Sequence, residues 1–295
     1  MSGTAVAVDW GSTHRRAYVF GADGTLLHRH ADAEGVLKIG RDFAASLNRL
    51  LDGLPGPRAG RVVMSGMIGS RSGWVEAPYL PTPVDVAGLG QALQAVPFDG
   101  VEVAIVPGIC DDTGPDVMRG EETQLLGAWL QEPVDGVYLL PGTHSKWVAV
   151  RHGRLTGLHT FMTGELFAGL RQQGTLAGVL GERADVWSAF DAGLAAAGTG
   201  AASRLLFGVR AAVLRQRLGP DEALSYLSGL LIGMEWTDPL TSALRSEGEL
   251  RLVGDTTLAA LYRRAGEYWQ TPVRCMDPDA AYITAARRLL GGSQR

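Results

Sequence analysis

The first thirty residues constrain the fold more than any other part of this chain. Ala5 to Val8 is an apolar run that ends in Asp9, and a second β-rich run, Ala17 to Phe20, follows a short polar turn. Ala22 to Gly24 form another tight turn before the apolar residues at Thr25 to Leu27. Short runs of this kind, separated by glycine-containing turns, predict three antiparallel strands.

The polar turn between the first two strands has the composition of a phosphate-binding loop. Gly11 allows backbone amides to approach an anion closely. The turn can add hydroxyl or cationic donors from Ser12, Thr13, His14, Arg15 and Arg16. Asp9, at the exit of a buried strand, is the kind of ligand that Mg2+ prefers, together with water and phosphate oxygens. An ordinary hairpin with an arginine-rich edge explains the same residues, so this turn alone leaves both interpretations open.

Length, charge and cysteine content exclude several classes of protein. The chain has 295 residues, 46% of them hydrophobic, which is enough for one large or two medium domains. A formal net charge of -4 argues against general affinity for nucleic acid. Cys110 and Cys275 lie far apart and lack metal-site spacing, which favours two buried thiols in a reducing cytoplasm. No apolar stretch approaches about 18 residues, so we expect a cytoplasmic protein without a membrane partner.

A glycine-rich segment follows a short predicted strand at Arg61 to Met64. Open α/β sheets bind ligands at the exits of their strands. Arg71 has a planar guanidinium that can bind both oxygens of a carboxylate, and Trp74 and Glu76 could frame a polyol. Ser70 is a further candidate for substrate binding. A surface loop with one exposed arginine is the alternative interpretation.

Two adjacent glutamates enter the next predicted helix, which spans Asp116 to Leu130. Glu121 or Glu122 could accept a proton from a substrate hydroxyl. Acidic residues in a first helical turn are also common partners of the helix dipole, so the pattern alone does not decide between catalysis and structure.

The opening pattern returns about 130 residues later, which predicts an internal duplication. An apolar run at Gly136 to Leu140 leads into a polar turn, and a β-rich run at Trp147 to Val150 follows. The turn has the same order of glycine, hydroxyl and cation, and two coincidental hairpins are the alternative. Its candidate phosphate-binding residues are Gly142, Thr143, His144, Ser145 and Lys146.

Two further segments complete the candidate site. Thr163 is a predicted N-cap with Glu165 in the first turn of its helix, and helix capping alone explains both. A predicted strand at Leu250 to Val253 runs into Gly254 and Asp255 at the start of a helix, a geometry suited to an anion or a nucleotide.

The order and spacing of these loops resemble the phosphate-1, phosphate-2 and adenosine motifs of the actin, sugar-kinase and heat-shock-chaperone ATPase superfamily. Within it, the chain resembles the 2-dehydro-3-deoxygalactonokinases (2-keto-3-deoxygalactonate kinases). The segments behind this narrower resemblance spread over most of the chain. They are Val8 to Thr13, Ser65 to Ser70, Gly73 to Tyr79, Met118 to Gln124, Leu140 to Trp147 and Met162 to Glu165.

The resemblance implies an α/β fold with two ribonuclease-H-like (actin-like ATPase) domains around a central ATP cleft. It places the N-terminal domain at residues 1–132, the C-terminal domain at 133–278 and a terminal helix at 279–295 that packs on either domain. It implies ATP and Mg2+ as cofactors and phosphorylation of the C6 hydroxyl of 2-keto-3-deoxygalactonate in galactonate breakdown. A homodimer and a monomer both stay open.

The resemblance also implies roles for the candidate residues. Both glycine loops would hold the phosphates of ATP, and Gly254 and Asp255 would lie under the nucleoside. Asp9 alone would handle the metal, because Pro141 stands where many relatives carry a second acid. Glu121 or Glu122 matches the position of the glutamate in exopolyphosphatases, and Glu165 is the second choice for the base.

Three alternatives remain at this point. The epimeric 2-keto-3-deoxygluconate could be the substrate, since no single residue decides between the two sugar acids. A phosphohydrolase or ATPase on the same scaffold would turn over ATP without a sugar acid. A non-catalytic sugar- or nucleotide-sensing protein would be expected to have lost Asp9 or the glutamates, which are all present.

Overall fold

The computed structural model describes residues 3–291. Their contacts divide them into two compact units. Unit 1 takes in the described residues up to 135, residues 150–158 and residues 277–291, and unit 2 takes in residues 136–149 and 159–276.

The first part of the chain builds most of unit 1. Its elements are β1 (Ala5–Trp10), β2 (Arg15–Phe20), β3 (Leu26–Asp32), α1 (Phe43–Gly53), β4 (Arg61–Ser65), β5 (Tyr79–Pro81), β6 (Val84–Asp85), β7 (Gln94–Val96), β8 (Glu102–Ile105), β9 (Gly108–Cys110), β10 (Val117–Met118) and α2 (Glu121–Gln131), with short 3-10 turns at Met67–Gly69 and Ala87–Gln91.

The second part of the chain builds unit 2 and ends in a helix of unit 1. Its elements are β11 (Gly136–Leu140), β12 (Ser145–Arg151), β13 (Arg154–Phe161), α3 (Thr163–Gln172), α4 (Gly174–Ala177), α5 (Trp187–Ala196), α6 (Ala202–Leu214), α7 (Pro220–Thr237), α8 (Pro239–Arg245), β14 (Leu250–Val253), α9 (Thr256–Tyr268), β15 (Val273–Met276) and α10 (Pro278–Leu290).

The main sheet of unit 1 has the strand order β3-β2-β1-β4-β8-β7. The strands β1, β2 and β3 are antiparallel, which confirms the prediction for the N-terminal segment. The strands β4 and β8 run parallel to β1, and β7 is antiparallel to β8. A small sheet in the order β10-β9-β5 lies in the same unit. The hydrophobic core forms where α1 packs on the sheet, with Leu47, Val8 and Met64 fully buried.

The second six-stranded sheet repeats this order. Its strands are arranged β15-β14-β11-β12-β13-β6, β14 is parallel to both β11 and β15, and β6 is antiparallel to β13. If the short edge strands β7 and β6 are left aside, the third, second, first, fourth and fifth strands of each sheet, counted along the chain, are neighbours in that order in both sheets. The predicted duplication is therefore confirmed in the topology, and the fold class is that of the ribonuclease-H-like, actin-like ATPases.

Close backbone packing explains why several helices, among them α5 and α7, contain glycines. A Cβ at Gly229 would lie 2.0 Å from the carbonyl oxygen of Phe190, and one at Gly193 would lie 2.2 Å from that of Tyr226. Helices α5 and α7 therefore touch through their backbones. In unit 1, a Cβ at Gly127 of α2 would likewise collide with Ala281 of α10. The cost in helix propensity is offset by this close contact.

Three local predictions were wrong. Of the two cysteines predicted to be buried, Cys275 is exposed and Cys110 is half-buried. The helix predicted from Asp116 begins only at Glu121, because Gly120 has a φ of 110° and Val117–Met118 pair with β9. Thr163 is not an N-cap: Met162 precedes α3 and makes no side-chain cap. Within residues 3–291, no helix is long and apolar enough to cross a membrane.

Candidate active site

The phosphate-1 loop, residues 11–14, connects β1 to β2 and is supported by contacts with residues 35–37. The amide of Gly11 donates to the carbonyl of His14 at 3.0 Å, and the amide of Leu37 donates to the carbonyl of Ser12 at 3.0 Å. A Cβ at Gly35 would lie 2.3 Å from the carbonyl carbon of Thr13. Only a glycine at position 35 therefore permits this support, which the sequence pattern did not indicate.

Asp9 and Arg16 form an ion pair across β1 and β2, where they are paired in register. The Nη2 atom of Arg16 lies 2.6 Å from Oδ2 of Asp9. The Arg16 side chain is 51% exposed and that of Asp9 20% exposed. Burial works against the charge of Arg16, but the neighbouring Asp9 carboxylate outweighs it and the pKa of Arg16 is raised. Asp9 is thus an accessible carboxylate that already binds one cation.

Arg15 points to the opposite face of β2 from Arg16, as alternation along a strand requires. Its side chain is 3% exposed, and its guanidinium binds Asp32 at 2.7 Å and the hydroxyl of Ser46 at 2.8 Å. It also stacks 4.7 Å from the centre of the Trp10 ring. The expectation that Arg15 binds phosphate is therefore replaced here by a structural role, and Arg16 is the exposed cation beside the loop.

Three element ends meet around Asp9 in unit 1. A Cβ at Gly66, just after β4, would lie 3.5 Å from Oδ1 of Asp9 and 2.9 Å from the carbonyl of Trp10. A Cβ at Gly120, just before α2, would lie 3.3 Å from the Cα of Gly66. Both glycines have positive φ values, 89° and 110°. The start of α2, with Glu121, therefore lies close to the exits of β1 and β4.

The two glutamates of α2 differ in burial. Glu122 is fully buried and accepts the amide of Gly120 at 2.6 Å. Burial, with the charge of Glu121 adding to it, raises the pKa of Glu122 to about 8. Glu121 is only partly buried. Of the pair, Glu121 is the less buried residue, although its Oε2 atom is itself buried, and Glu122 is enclosed beneath the first turn of the helix.

The segment after β4 mixes exposed and packed side chains. Arg71 and Glu76 are exposed. The hydroxyl of Ser70 donates to the carbonyl of Met67 at 2.7 Å. The ring of Trp74 stacks on Phe43, 6.4 Å between ring centres, and belongs to the edge of the unit 1 core. Trp74 is therefore a packing residue here, which differs from the expectation that it frames a polyol.

Arg119 supports this segment and was missed in the sequence pattern. Its Nη2 donates to the carbonyl of Ala77 at 2.7 Å, and its guanidinium lies 4.3 Å from the centre of the Tyr79 ring. The small sheet of β5, β9 and β10 brings these residues together. Arg119 precedes Gly120 directly, so it links the loop after β4 to the start of α2.

The phosphate-2 loop, residues 141–144, connects β11 to β12 and rests against the N-terminus of α3. The amide of Glu165 donates to the carbonyl of Thr143 at 2.9 Å. A Cβ at Gly164 would lie 2.2 Å from the carbonyl oxygen of Gly142. The Nε2 atom of His144 lies 2.6 Å from Oε2 of Glu165. The predicted substrate residue Glu165 thus contacts the loop itself.

Two residues predicted to bind phosphate lie inside the following strand. Ser145 is fully buried in β12, and its hydroxyl donates to Oε2 of Glu235 at 2.9 Å. Lys146 is also buried, and its Nζ donates to the hydroxyl of Thr160 at 3.1 Å. The strand begins at Ser145, so of the five candidate phosphate-binding residues only Gly142, Thr143 and His144 remain accessible.

The turn after β14 is occupied by a helix cap. The carboxylate of Asp255 accepts the amides of Thr257 and Leu258 at 2.8 and 3.0 Å. A Cβ at Gly254 would lie 3.0 Å from Cγ of Pro141. Asp255 therefore satisfies the first amides of α9, and Gly254 lets this turn approach the phosphate-2 loop closely.

A cavity of about 570 Å³ opens in unit 2 beside the phosphate-2 loop. Gly142 and Gly164 lie at its loop side, and Thr257 and Leu258 at its α9 side. Much of the remaining wall is apolar. Its apolar side chains are Phe167, Trp187, Leu231, Ile232 and Leu261. A mostly apolar slot beside a glycine loop has the size and lining of a nucleoside site.

Comparison with known proteins decides the family. The model of the family described as 2-keto-3-deoxy-galactonokinase matches residues 9–289. The chain belongs to this family. Its members are carbohydrate kinases that use ATP, so the predicted enzyme class is confirmed.

Two curated relatives and one solved structure agree with the assignment to the 2-keto-3-deoxy-galactonokinase family. The chain is 36% identical to a probable 2-dehydro-3-deoxygalactonokinase of Rhizobium meliloti and 35% identical to the 2-dehydro-3-deoxygalactonokinase of Escherichia coli, in each case over 98% of both chains. The crystal structure of a putative 2-dehydro-3-deoxygalactonokinase from Sinorhizobium meliloti superposes with a TM-score of 0.88 at 35% identity, covering 97% of this chain and 95% of that one.

Proposed function

We propose that this kinase transfers the γ-phosphoryl group of ATP to the C6 hydroxyl of 2-dehydro-3-deoxy-D-galactonate. The observation that carries the proposal is the family match over residues 9–289, together with relatives of that name at 35–36% identity along nearly their whole length. The product would be the 6-phosphate and ADP.

The two glycine loops are the proposed phosphate ligands. Backbone amides and hydroxyls at Gly11, Ser12 and Thr13 would bind phosphate oxygens in unit 1, and residues 142–144 would do so in unit 2. The exposure of Thr13 and Thr143 supports this assignment. Arg16 takes the place of Arg15 as the cation beside the first loop, because its guanidinium is the exposed one.

The residues around Asp9 fit Mg2+ held mainly by the substrate. Mg2+ usually binds through one or two carboxylates together with phosphate oxygens and water. Asp9 is one partly exposed carboxylate that already attracts a cation, and residues 3–291 contain no cluster of three or more metal-ligating side chains. When bound, Mg2+ would neutralise negative charge on the phosphates.

Glu121 is the proposed proton acceptor. It would take the proton of the C6 hydroxyl as that oxygen bonds to the γ-phosphorus, while the bond from phosphorus to the bridging oxygen of ADP breaks. Its position beside Gly120 and Gly66, near Asp9, supports this role. The complete burial of Glu122 supports the choice of Glu121 over Glu122 as the proton acceptor.

Arg71 is the proposed partner of the substrate carboxylate, and the cavity of unit 2 is the proposed site of the nucleoside. Arg71 is exposed, and no hydrogen bond or ion pair to another side chain engages its guanidinium within residues 3–291. The apolar lining beside Thr257 and Leu258 would receive the adenine base, with Gly254 forming the turn between that wall and the phosphate-2 loop.

A substrate panel tests the proposal. ADP release is measured with MgATP and, in turn, 2-dehydro-3-deoxy-D-galactonate, its gluconate epimer, glucose and glycerol. We expect stimulation by the galactonate-derived acid and none by glucose or glycerol. Faster turnover of the gluconate epimer would reassign the substrate. ADP release that is independent of every acid would indicate a hydrolase and reject the kinase proposal.

A further inference from the structure

A buried carboxylate in unit 2 has no part in the proposed chemistry. Glu235, near the end of α7, is 1% exposed. Its Oε2 accepts the hydroxyl of Ser145 at 2.9 Å and the indole Nε1 of Trp147 at 3.0 Å. Its Oε1 accepts the hydroxyl of Tyr262 at 2.5 Å. The hydroxyl of Thr163 also donates to this carboxylate.

The donors come from three elements that surround the proposed nucleotide site. Ser145 directly follows His144 of the phosphate-2 loop. Thr163 is the first residue of α3 and precedes Gly164, which contacts the same loop. Tyr262 lies on α9, and both Tyr262 and Thr163 line the cavity of about 570 Å³. One carboxylate therefore joins the loop, α3 and α9.

Packing alone does not call for a carboxylate at this position. The surroundings are apolar, with Trp147 and Trp236 in the same core, and a buried acid is costly unless its oxygens are hydrogen-bonded. Burial raises the pKa of Glu235, whereas the hydrogen bonds from its four donors oppose the rise. Fully satisfied polar networks of this kind fix one arrangement of the elements that they join.

We infer that Glu235 is the positioning residue of the nucleotide site: it fixes the phosphate-2 loop relative to the starting residues of α3 and to α9. The inference rests on the proposed function, since it takes ATP as the ligand of this unit. A loop held in its binding geometry loses little conformational entropy when a phosphate arrives. Loss of Glu235 therefore weakens ATP binding without touching the sugar acid.

The experiment compares Glu235→Gln, Glu235→Leu and Tyr262→Phe with a matched control, Leu227→Ala. Leu227 is a fully buried residue of the same helix and is not itself among the residues that line the cavity, although its neighbour Leu231 in the same cluster is. Dissociation constants for ATP are measured by calorimetry without sugar acid, and KM for ATP and for the acid and kcat are measured separately. Thermal unfolding is recorded for every variant.

We expect the dissociation constant for ATP to rise about tenfold in Glu235→Leu, less in Glu235→Gln, which keeps one acceptor oxygen, and about threefold in Tyr262→Phe. The KM for the sugar acid should stay within twofold of the wild type. Leu227→Ala should lower the unfolding temperature and leave ATP binding unchanged. If a Glu235 variant fails to fold, Tyr262→Phe carries the test.

An unchanged ATP dissociation constant in folded Tyr262→Phe and Glu235 variants would overturn the inference, even if their unfolding temperature fell. An equal rise of the ATP dissociation constant in Leu227→Ala would also overturn the inference, because a general loss of stability would then explain the weaker binding. Wild-type protein that binds ATP but phosphorylates no sugar acid would reject the proposed function, while the role of Glu235 would still be judged by ATP binding.

Discussion

The phosphate-1 and phosphate-2 loops each follow the first strand of their sheet, yet different contacts hold them. The first loop is supported by backbone contacts from the segment at Gly35 and carries a charged pair, Asp9 and Arg16, beside it. The second is supported by α3 and by a buried network under Ser145. The two sheets therefore share one strand order, whereas the loops differ in chemistry. The first loop has a partly exposed carboxylate beside it, and the second is supported by a buried hydrogen-bond network.

The largest effect is expected from Asp9, which has no counterpart in the second loop. Asp9→Asn should lower kcat by about a hundredfold or more, because a catalytic metal supplies several kcal/mol of charge stabilisation. Steady-state kinetics over a range of Mg2+ concentrations checks this, with Asp23→Asn in the exposed β2–β3 turn as the control. Near-normal turnover in folded Asp9→Asn would remove the distinction between the loops.

The glutamates of α2 should separate into a catalytic and a structural residue. Glu121→Gln should reduce kcat by about 10²-fold or more, the usual contribution of a general base. Glu122→Gln should keep most activity, because the amide oxygen still accepts the Gly120 amide. Loss of turnover in the Glu122 variant alone would reverse this assignment.

Glu122 also predicts a pH dependence of stability. Its folded pKa of about 8 lies above the ordinary 4.5, so the folded chain retains a proton that the unfolded chain has released between these values. Raising the pH through this range therefore lowers the free energy of unfolding. Relative to the wild type, Glu122→Gln should gain stability between pH 5 and pH 8 in thermal unfolding. A stability difference between the variant and the wild type that does not change with pH would contradict the raised pKa of Glu122.

Substitutions of Arg15 and Arg16 should have different effects, because the two side chains lie on opposite faces of β2. Arg16→Gln should raise the KM for ATP severalfold and leave the unfolding temperature nearly unchanged. Arg15→Gln should cost about 1–3 kcal/mol of stability, since buried hydrogen-bond partners lose their donor. Denaturant unfolding and ATP kinetics on both variants check this. Exchange of the two phenotypes would refute the corrected assignment.

The smallest effect is expected at Glu165, whose carboxylate pairs with exposed His144. Exposed pairs contribute about 0–1 kcal/mol, so Glu165→Gln should change the KM for ATP by less than about fivefold and leave kcat nearly unaltered. Steady-state kinetics with both substrates varied would detect this. A collapse of kcat would instead make Glu165 the proton acceptor.

The sequence predicted the strands and the glycine loops because both depend on local patterns of apolar residues and turns. It could not show which side of β2 each arginine occupies or that Ser145 and Lys146 lie within a strand. Those facts depend on where a strand starts, and a shift of one residue reverses its faces. Glu235 was missed for a different reason: its partners lie up to 90 residues away, and a lone glutamate in an apolar helix has no motif.

Analysis of the product by 31P NMR identifies the hydroxyl that this kinase phosphorylates. The wild-type protein is incubated with MgATP and 2-dehydro-3-deoxy-D-galactonate until ADP accumulates. We expect one phosphomonoester signal per ADP, split into a triplet by the two protons on C6. A doublet would indicate a secondary hydroxyl as the acceptor, and inorganic phosphate in place of the ester would contradict the kinase assignment.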